Sequence, residues 1–260
     1  MPEGHTIHRH ARDQAIDLVG KRVGVASPQG RFDVGDLAGK KLLRIEPYGK
    51  HLVYVFGGRR EQFVHVHLGL FGRFFRHVGE APAPRATTRM RLAVDQITLD
   101  LVGPTACERL TRAELDLLLA RLGTDPLRPD ADLDACAERV AKRRTPIGAA
   151  LLDQSLIAGI GNVYRAEILF LHGVHPSTPA SQIPVATHLA MLKTARQLLR
   201  RGVELGRIVT VSGATKRTPK REALYVYKRA ACKTCGEKIA TLTVGARTIY
   251  FCPACQSNED

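Results

Sequence analysis

Four cysteines near the end of the chain have the spacing of a metal site. Two Cys-x2-Cys pairs are separated by sixteen residues, and the four are Cys232, Cys235, Cys252 and Cys255. Each pair can present two thiolates from one tight turn, and the segment between the pairs can fold back as a hairpin. Four thiolates complete the tetrahedral sphere of zinc and leave no position for water, so we expect one structural Zn²⁺ per chain. Disulfides are the alternative. Cys107 and Cys136 lack such partners and are expected to be small buried residues.

The N-terminus offers a second kind of chemistry. Initiator methionine is normally removed before a residue as small as Pro2, which leaves a free secondary amine. An α-amino group titrates near pH 7.7–8, well below lysine at about 10.4, so a fraction of it is neutral and nucleophilic. Such an amine can attack C1′ of a sugar to form an iminium, and Glu3 supplies an adjacent carboxylate for proton transfer. Many proteins begin with Met-Pro, so this interpretation needs support from the rest of the chain.

A glycine-containing turn and a basic hairpin are candidate phosphate sites. Two apolar helical stretches are interrupted at residues 158–162, where the glycines allow a tight turn and Asn162 is predicted to cap the second helix. The free N–H groups at a helix N-terminus suit phosphate, although a helix hairpin without a ligand is the alternative. In the cysteine hairpin, Arg247 is the best candidate for a phosphate contact. The alternative is that Arg247 is an ordinary charged residue exposed to solvent.

The composition is that of a globular protein with a large positive charge. The 260 residues include 39 Lys plus Arg against 25 Asp plus Glu, a formal net charge of +14, with 44% hydrophobic and 25% charged residues. Disordered and fibrous classes are excluded. The positive surplus makes nucleic acid the leading partner, and a soluble basic enzyme with a solvated cationic face is the alternative that charge alone leaves open. No run approaches the roughly 18 apolar residues of a membrane span. No signal peptide is recognisable, so we expect a cytoplasmic, nucleoid-associated protein with no membrane partner.

The first hundred residues predict a helix followed by antiparallel strands. Residues 41–56, 61–75 and 88–102 alternate apolar and polar side chains, which is typical of half-buried strands in a sandwich or barrel. A leading helix is predicted over residues 4–19. Its apolar face comprises Ile7, Ala11, Ala15, Ile16 and Val19.

The pattern changes after Thr111, where a capped helix over 111–123 precedes a Pro- and Asp-rich connector. Further helices are predicted at 133–144 and 185–205, and short strand-like runs accompany the four cysteines. The chain is therefore expected to be α+β, an antiparallel β-sandwich with a leading helix, then a helical part and a zinc-binding β-hairpin. The predicted domains are 1–130, 131–229 and 230–260.

Four motifs in order along the chain carry a resemblance to a known family. They are Met1–Gly4, Tyr48–Lys50, Gly159–Tyr164 and Phe251–Gln256. Together they resemble the formamidopyrimidine-DNA glycosylase and endonuclease VIII family over essentially the whole chain. The resemblance implies a helix-two-turn-helix DNA-binding domain and a bifunctional base-excision repair enzyme. Such an enzyme removes oxidised bases and then cleaves the strand at the abasic site, with damaged DNA as partner, and we expect a monomer.

The resemblance also implies residue roles. Pro2 corresponds to the nucleophile that displaces the base and forms the Schiff base, and Glu3 to the carboxylate that assists ring opening and shuttles protons. Lys50 corresponds to the lysine that contacts the phosphate beside the lesion and assists catalysis. Asn162 and Arg247 correspond to phosphate grips from the helix-two-turn-helix and the zinc hairpin, and Arg247 is counted with the catalytic group as well.

Leu70 and Phe71 are the candidate wedge that fills the space left by a flipped base, and an ordinary strand end in the core is the alternative. The Arg-x-Phe wedge pair typical of the formamidopyrimidine branch is not visible in residues 100–107, and Thr6 stands where many members have Glu. With Gly4 after Glu3, this favours the endonuclease VIII branch, hence oxidised pyrimidines and β,δ-elimination.

Other functions remain open from the sequence alone. An oxidised-purine glycosylase, an abasic-site lyase without base removal, and a non-catalytic damage-binding module are the alternatives within reach of the same motifs. A zinc-dependent hydrolase is opposed by the four thiolate ligands, which leave no open position on the metal.

Overall fold

The computed structural model describes residues 2–244 and 247–257. The chain divides into two compact units, Met1–Glu3 with Ile7–Ala120, and Gly4–Thr6 with Arg121–Asp260. The division at Ala120 comes earlier than the predicted boundary at residue 130. The reason is that the predicted connector is bonded into the second unit. The Gly123 N–H donates to the Gln154 carbonyl at 2.8 Å, and the Ala158 N–H donates to the Thr124 carbonyl at 3.0 Å.

Helix α1 spans Gly4–Leu18, close to its predicted bounds. Ile7 and Leu18 are buried on its inner face, but Ile16 is 77% exposed, so its assignment to the apolar face was wrong. Ile16 follows Ile7 by nine residues. At about 100° per residue this places it about 180° around the helix, on the solvent side.

Eight antiparallel strands make up most of the first unit. They are β1 Arg22–Ala26, β2 Lys40–Tyr48, β3 His51–Phe56, β4 Gln62–His67, β5 Arg73–Val78, β6 Thr88–Val94, β7 Ile97–Val102 and β8 Ala106–Leu110, in the order β5-β7-β6-β1-β2-β3-β4-β8. Strand β1 pairs with β2 through Arg22 and Val23, and with β6 through the next three residues. It therefore joins two halves of the sheet whose inner side chains share one core with α1, which confirms the predicted sandwich.

Helix α2, Arg112–Ala120, covers the outer face of β3 and β4. Its Leu115 packs against Val53, Val55 and Phe63. The predicted cap is confirmed as a reciprocal capping box. The Glu114 N–H donates to Thr111 Oγ1 at 3.2 Å, and the Thr111 N–H donates to Glu114 Oε2 at 2.8 Å.

The second unit is helical, with a small hairpin. Its elements are α3 Leu133–Ala141, α4 Ile147–Ala150, α5 Asn162–Leu171, a 3-10 helix at Ala180–Gln182, α6 Val185–Leu205, and strands β9 Ala240–Val244 and β10 Arg247–Phe251. Helix α6 has its predicted bounds. Helix α5 is buried over nearly its whole length, so its polar side chains must find partners inside the protein. Among the described residues no helix is long and apolar enough to span a membrane.

Candidate active site and DNA-contacting residues

The N-terminal pair precedes α1 directly. Glu3 occupies the N-cap position with an extended backbone and is fully buried, whereas Pro2 is half-buried. The Gly4 N–H donates to the Gly159 carbonyl at 2.8 Å. A Cβ at position 4 would lie 2.9 Å from Gly159 Cα, so this close backbone approach requires glycine. The residue that follows the candidate pair is thus fixed against the turn before α5.

Lys50 lies in the two-residue turn that joins β2 to β3, where the sequence analysis placed it. Gly49 has φ +59°, a left-handed conformation that favours glycine in tight hairpins. Tyr48 and His51 face each other across the turn in register. The half-buried Lys50 side chain is therefore held at the end of a regular hairpin.

Leu70 and Phe71 lie in the turn between β4 and β5 and are exposed by 55% and 82%. The alternative that they form an ordinary strand end in the core is therefore wrong. The backbone of the turn depends on two glycines. Gly69 has φ +63°, and a Cβ on Gly72 would meet the Leu68 carbonyl oxygen at 2.3 Å. A tightly defined backbone thus presents two adjacent large apolar side chains to solvent.

Asn162 does not cap α5, contrary to the sequence prediction. The cap is Gly161, without a side-chain hydrogen bond, and Asn162 is the first helical residue. Its side chain is mostly buried because it joins the turn to the hairpin. Nδ2 donates to the Thr248 carbonyl at 2.9 Å, and Oδ1 accepts from Arg165. The side chain that was predicted to cap its own helix instead forms a hydrogen bond with β10.

Arg165 completes this cluster and was not predicted. Its side chain is fully buried, with Nη1 donating to the Gly148 carbonyl at 2.9 Å. Nη2 donates to Asn162 Oδ1 and to the Thr248 carbonyl, the latter at 3.3 Å. We call Asn162, Arg165 and the Thr248 carbonyl the buried clamp. It fixes the start of α5 to the strand that begins with Arg247, whose side chain is exposed.

Glu167, two residues further along α5, anchors the long segment before the hairpin. Its fully buried carboxylate accepts backbone N–H groups from Tyr225 at 2.7 Å and from Val226 and Tyr227 at 2.9 Å, together with the Thr210 hydroxyl. Several donors on one carboxylate compensate its removal from water. Glu167 therefore ties segment 206–229, in which the sequence showed no decisive motif, to α5, and the stacked rings of Phe170 and Tyr225 add to that contact.

The four cysteine sulfurs lie within 4.8 Å of one another. Sγ of Cys235 is 3.5 Å from Sγ of both Cys252 and Cys255, and Sγ of Cys232 is 4.0 Å from that of Cys255. Tetrahedral zinc with Zn–S bonds of about 2.3 Å spaces its sulfurs about 3.8 Å apart, whereas a disulfide needs about 2.05 Å. The donor set fits zinc. As expected, Cys107 and Cys136 are buried elsewhere.

Hydrogen bonds of the Gln256 side chain hold the second cysteine pair in place. A backbone hydrogen bond from Glu237 lowers the pKa of Cys235 to about 7, whereas burial raises the pKa of Cys252 and of Cys255. The Cys252 N–H donates to Gln256 Oε1 at 3.0 Å, and Gln256 Nε2 donates to the Val174 carbonyl at 2.8 Å. The fully buried Gln256 thus fixes the second cysteine pair to the loop after α5.

Comparison with known proteins settles the family. Residues 1–109 match the family model of the formamidopyrimidine-DNA glycosylase N-terminal domain, and residues 122–213 match that of the formamidopyrimidine-DNA glycosylase H2TH domain. The chain is 41% identical to endonuclease 8 1 of Mycobacterium tuberculosis over 270 residues, covering 99% of this chain and all of the relative. The chain belongs to the formamidopyrimidine-DNA glycosylase and endonuclease VIII family. It is therefore a DNA repair glycosylase, as the sequence motifs predicted.

Other members of the family are also similar to this chain. It is 34% identical to endonuclease 8 2 of Mycobacterium bovis, which covers 98% of this chain and all of the relative. It is 32% identical to formamidopyrimidine-DNA glycosylase of Symbiobacterium thermophilum, covering 98% of the chain and 88% of the relative. Among solved structures, Lactococcus lactis Fpg in complex with N7-benzyl-Fapy-dG-containing DNA has a TM-score of 0.81 at 24% identity, covering 99% and 100% of the two chains. This likeness confirms the fold.

Proposed function

We propose that this glycosylase is bifunctional, removing an oxidised base and then cleaving the strand through a Schiff base on Pro2. The placement of the N-terminal pair carries the proposal. The α-amine of Pro2 is immediately followed by the buried Glu3, and Gly4 is fixed by its hydrogen bond to Gly159. A nucleophile that belongs to the backbone is positioned by the residues after it, and this chain holds those residues firmly.

The chemistry follows from these groups. The neutral Pro2 nitrogen attacks C1′ and the C1′–N bond to the base breaks. The proton that the Pro2 nitrogen loses as it becomes a tertiary amine leaves on the base. Glu3 donates a proton to the ring oxygen as the sugar opens, giving the iminium between Pro2 and C1′. The Glu3 carboxylate, ionised by that step, takes the C2′ proton and the 3′ phosphate leaves. Loss of the C4′ proton to solvent water then expels the 5′ phosphate in the second elimination. Water hydrolyses the remaining imine and frees the amine.

Lys50, Asn162 and Arg247 are the proposed phosphate contacts, with Leu70 and Phe71 as the wedge. Extruding a base costs a few kcal/mol, which contacts to the backbone and a side chain in the vacated space can offset. The exposure of Leu70 and Phe71 supports the wedge. The side-chain amide of Asn162 is hydrogen-bonded within the buried clamp. We therefore propose that Asn162 helps to bind a phosphate by fixing the turn at the N-terminus of α5.

The four cysteines would hold one structural zinc, for which their spacing is suited. The metal would stabilise the hairpin that carries Arg247, since so small an element has little apolar core of its own. We propose a monomer acting on damaged DNA.

Oxidised pyrimidines are the proposed substrates. The two endonuclease 8 relatives, at 41% and 34% identity, support this branch, as does the missing Arg-x-Phe pair. An oxidised-purine glycosylase is the second candidate, because a formamidopyrimidine-DNA glycosylase is 32% identical over nearly the whole chain. Lyase activity alone and damage binding without catalysis are the remaining outcomes that the experiment separates.

The test uses duplexes that carry dihydrouracil, 8-oxoguanine or a plain abasic site. A short peptide left in front of Pro2 converts its amine into an amide without changing a side chain, and the same peptide at the C-terminus is the matched control. We expect cleavage at dihydrouracil above that at 8-oxoguanine, and at least about a thousandfold loss with the N-terminal extension. Equal activity of the two tagged proteins would refute the amine nucleophile, and cleavage at the abasic site alone would leave a lyase.

A further inference from the structure

The first turn of α1 packs against α5 and α6 of the second unit. Residues Gly4–Thr6 group with that unit, whereas α1 from Ile7 onward groups with the sheet. His5 is buried, and its ring meets the Tyr164 ring of α5 edge-on, with the centroids 5.4 Å apart and the planes at 79°. Edge-on contacts at such a distance are favourable for aromatic rings. The residue three positions after Pro2 is therefore held by a side chain of the second unit.

Gly202 on α6 completes the surroundings of His5. Its backbone is helical, so its conformation does not require glycine, and glycine lowers the stability of a helix interior relative to alanine. The position instead requires space. A Cβ on Gly202 would overlap the Tyr164 hydroxyl oxygen and would lie 2.9 Å from both Cβ and Cγ of His5. We call His5, Tyr164 and Gly202 the N-terminal socket.

Backbone groups hold the socket and the residue before it. The Tyr164 hydroxyl donates to the Leu198 carbonyl of α6 at 3.3 Å. The Gly4 N–H donates to the Gly159 carbonyl, and a Cβ on Gly4 would lie 3.1 Å from that oxygen. Two consecutive residues after Glu3 are thus seated in the second unit, the first through its backbone and the second through its side chain. A shift of the socket would therefore move the chain that follows the N-terminal pair.

We propose that Tyr164 and Gly202, acting through His5, are positioning residues for the amine of Pro2. This role rests on the proposed function of Pro2 as the nucleophile. The reacting nitrogen belongs to the backbone, so a shift of the chain that follows it moves the nitrogen directly. A displacement of about 1 Å at reacting atoms can lower a rate about a hundredfold. Tyr164 and Gly202 are both buried, so they act on the covalent step and not as contacts to DNA.

The decisive experiment measures the covalent step and DNA affinity separately on full-length protein. Single-turnover trapping with borohydride, on a duplex with a plain abasic site and saturating protein, gives the rate of Schiff-base formation. Affinity is measured on a duplex with a tetrahydrofuran analogue, which has no hydroxyl at C1′ and cannot form the iminium. We expect Gly202→Ala to lower the trapping rate at least about tenfold, because its methyl group displaces His5, and to bind the analogue within about twofold of wild type.

Two further variants separate positioning from a general loss of stability. Tyr164→Phe removes the hydroxyl that the new methyl group would overlap. The loss of rate caused by Gly202→Ala should therefore be at least about threefold smaller in the Tyr164→Phe background than in wild type. Val140→Ala is the control, because it removes apolar atoms from the core that α3 shares with α6. It should lower the free energy of unfolding and still form the adduct at the wild-type rate.

Substitutions of His5 decide the question if Gly202→Ala does not fold, because they add no atoms to the socket. His5→Ala removes the ring that contacts Tyr164 and should lower the trapping rate at least about fivefold, again with affinity unchanged. His5→Phe keeps a ring against Tyr164 and should restore the rate to within about threefold of wild type.

A wild-type trapping rate in folded Gly202→Ala, or in His5→Ala, would overturn the positioning role. Equal losses of rate and affinity would overturn it as well, and so would a loss in Val140→Ala as large as that in Gly202→Ala. Mass spectrometry of the trapped wild-type adduct tests the proposed function itself. Wild-type protein without an adduct on Pro2 would refute that function and the positioning role with it, whereas an adduct that all variants form equally fast would refute the positioning role alone.

Discussion

The buried clamp and the Leu70–Phe71 turn, the two regions that we propose act on DNA, differ in burial and in bonding. In the clamp, Arg165 and Asn162 are buried, and their polar atoms bond to the Thr248 carbonyl and to each other. In the turn, Leu70 and Phe71 contribute little to the core and are largely exposed. The first region fixes the backbone that carries a proposed phosphate contact, and the second presents side chains that we propose replace a base. Substitutions in the clamp should therefore lower stability as well as DNA binding, whereas substitutions in the turn should lower activity and leave stability unchanged.

Arg165→Met should give the largest effect, because it should lower both the stability of the protein and its affinity for DNA. Three acceptors, the carbonyls of Gly148 and Thr248 and Asn162 Oδ1, would lose a buried donor. At about 1 kcal/mol or more for each, we expect unfolding free energy to fall by about 3 kcal/mol. Affinity for abasic-analogue DNA should fall at least about tenfold as the turn and β10 separate. Urea unfolding and fluorescence anisotropy measure the two quantities.

Arg139→Met is the matched control for that substitution. Arg139 is exposed on α3 and donates to Thr124 Oγ1 at 2.7 Å, so we expect less than about 1 kcal/mol. Arg165→Lys keeps the charge but loses the planar fork and should lie between wild type and Arg165→Met. If folded Arg165→Met bound DNA as tightly as wild type, the clamp would not position the phosphate contacts.

Leu70→Ala should lower activity and leave stability unchanged. We expect about tenfold slower base removal from a dihydrouracil duplex, because less apolar surface fills the vacated stack. Unfolding free energy should stay within about 0.5 kcal/mol, since the side chain is exposed. The loss should shrink on a single strand, in which the base has no partner to leave. Single-turnover assays on both substrates measure it.

Leu117→Ala is the control, because Leu117 is an apolar residue on α2 that is 66% exposed. It should change neither activity nor stability. An equal loss of activity in both variants would mean that Leu70 has no wedge role.

Thr111→Ala should show the smallest effect, on stability alone. The hydroxyl that caps α2 is lost, at a cost of about 1 kcal/mol, with base removal unchanged. Thr111→Ser keeps the cap and should behave as wild type in urea unfolding. A change of DNA affinity in Thr111→Ala would show that α2 is coupled to the DNA-contacting regions.

The sequence predicted elements with strong periodicity and sites with fixed spacing. Helix α6 and the four cysteines were placed by such patterns, because both depend on local spacing alone. Strands β1 and β8 were missed, since five residues carry little periodicity and their pairing is long-range. The exposed position of Leu70 was left open between two alternatives because exposure depends on the turn backbone.

The buried clamp was missed because it is a tertiary arrangement. Asn162 was wrongly assigned as a cap, since the residue type allows it and only the fold shows Thr248 within reach. One pattern could have indicated Arg165 and Glu167. They are charged residues in an otherwise apolar helix, and a helix that is apolar on all sides is buried, so its charges must be paired inside the protein.

Mapping the covalent intermediate tests the central claim most directly. Wild-type protein is incubated with a dihydrouracil duplex and borohydride, digested, and analysed by mass spectrometry for the peptide that carries the sugar remnant. We predict that the adduct lies on the N-terminal peptide, at the nitrogen of Pro2. An adduct on a lysine, or base removal with no adduct at any residue, would contradict the account.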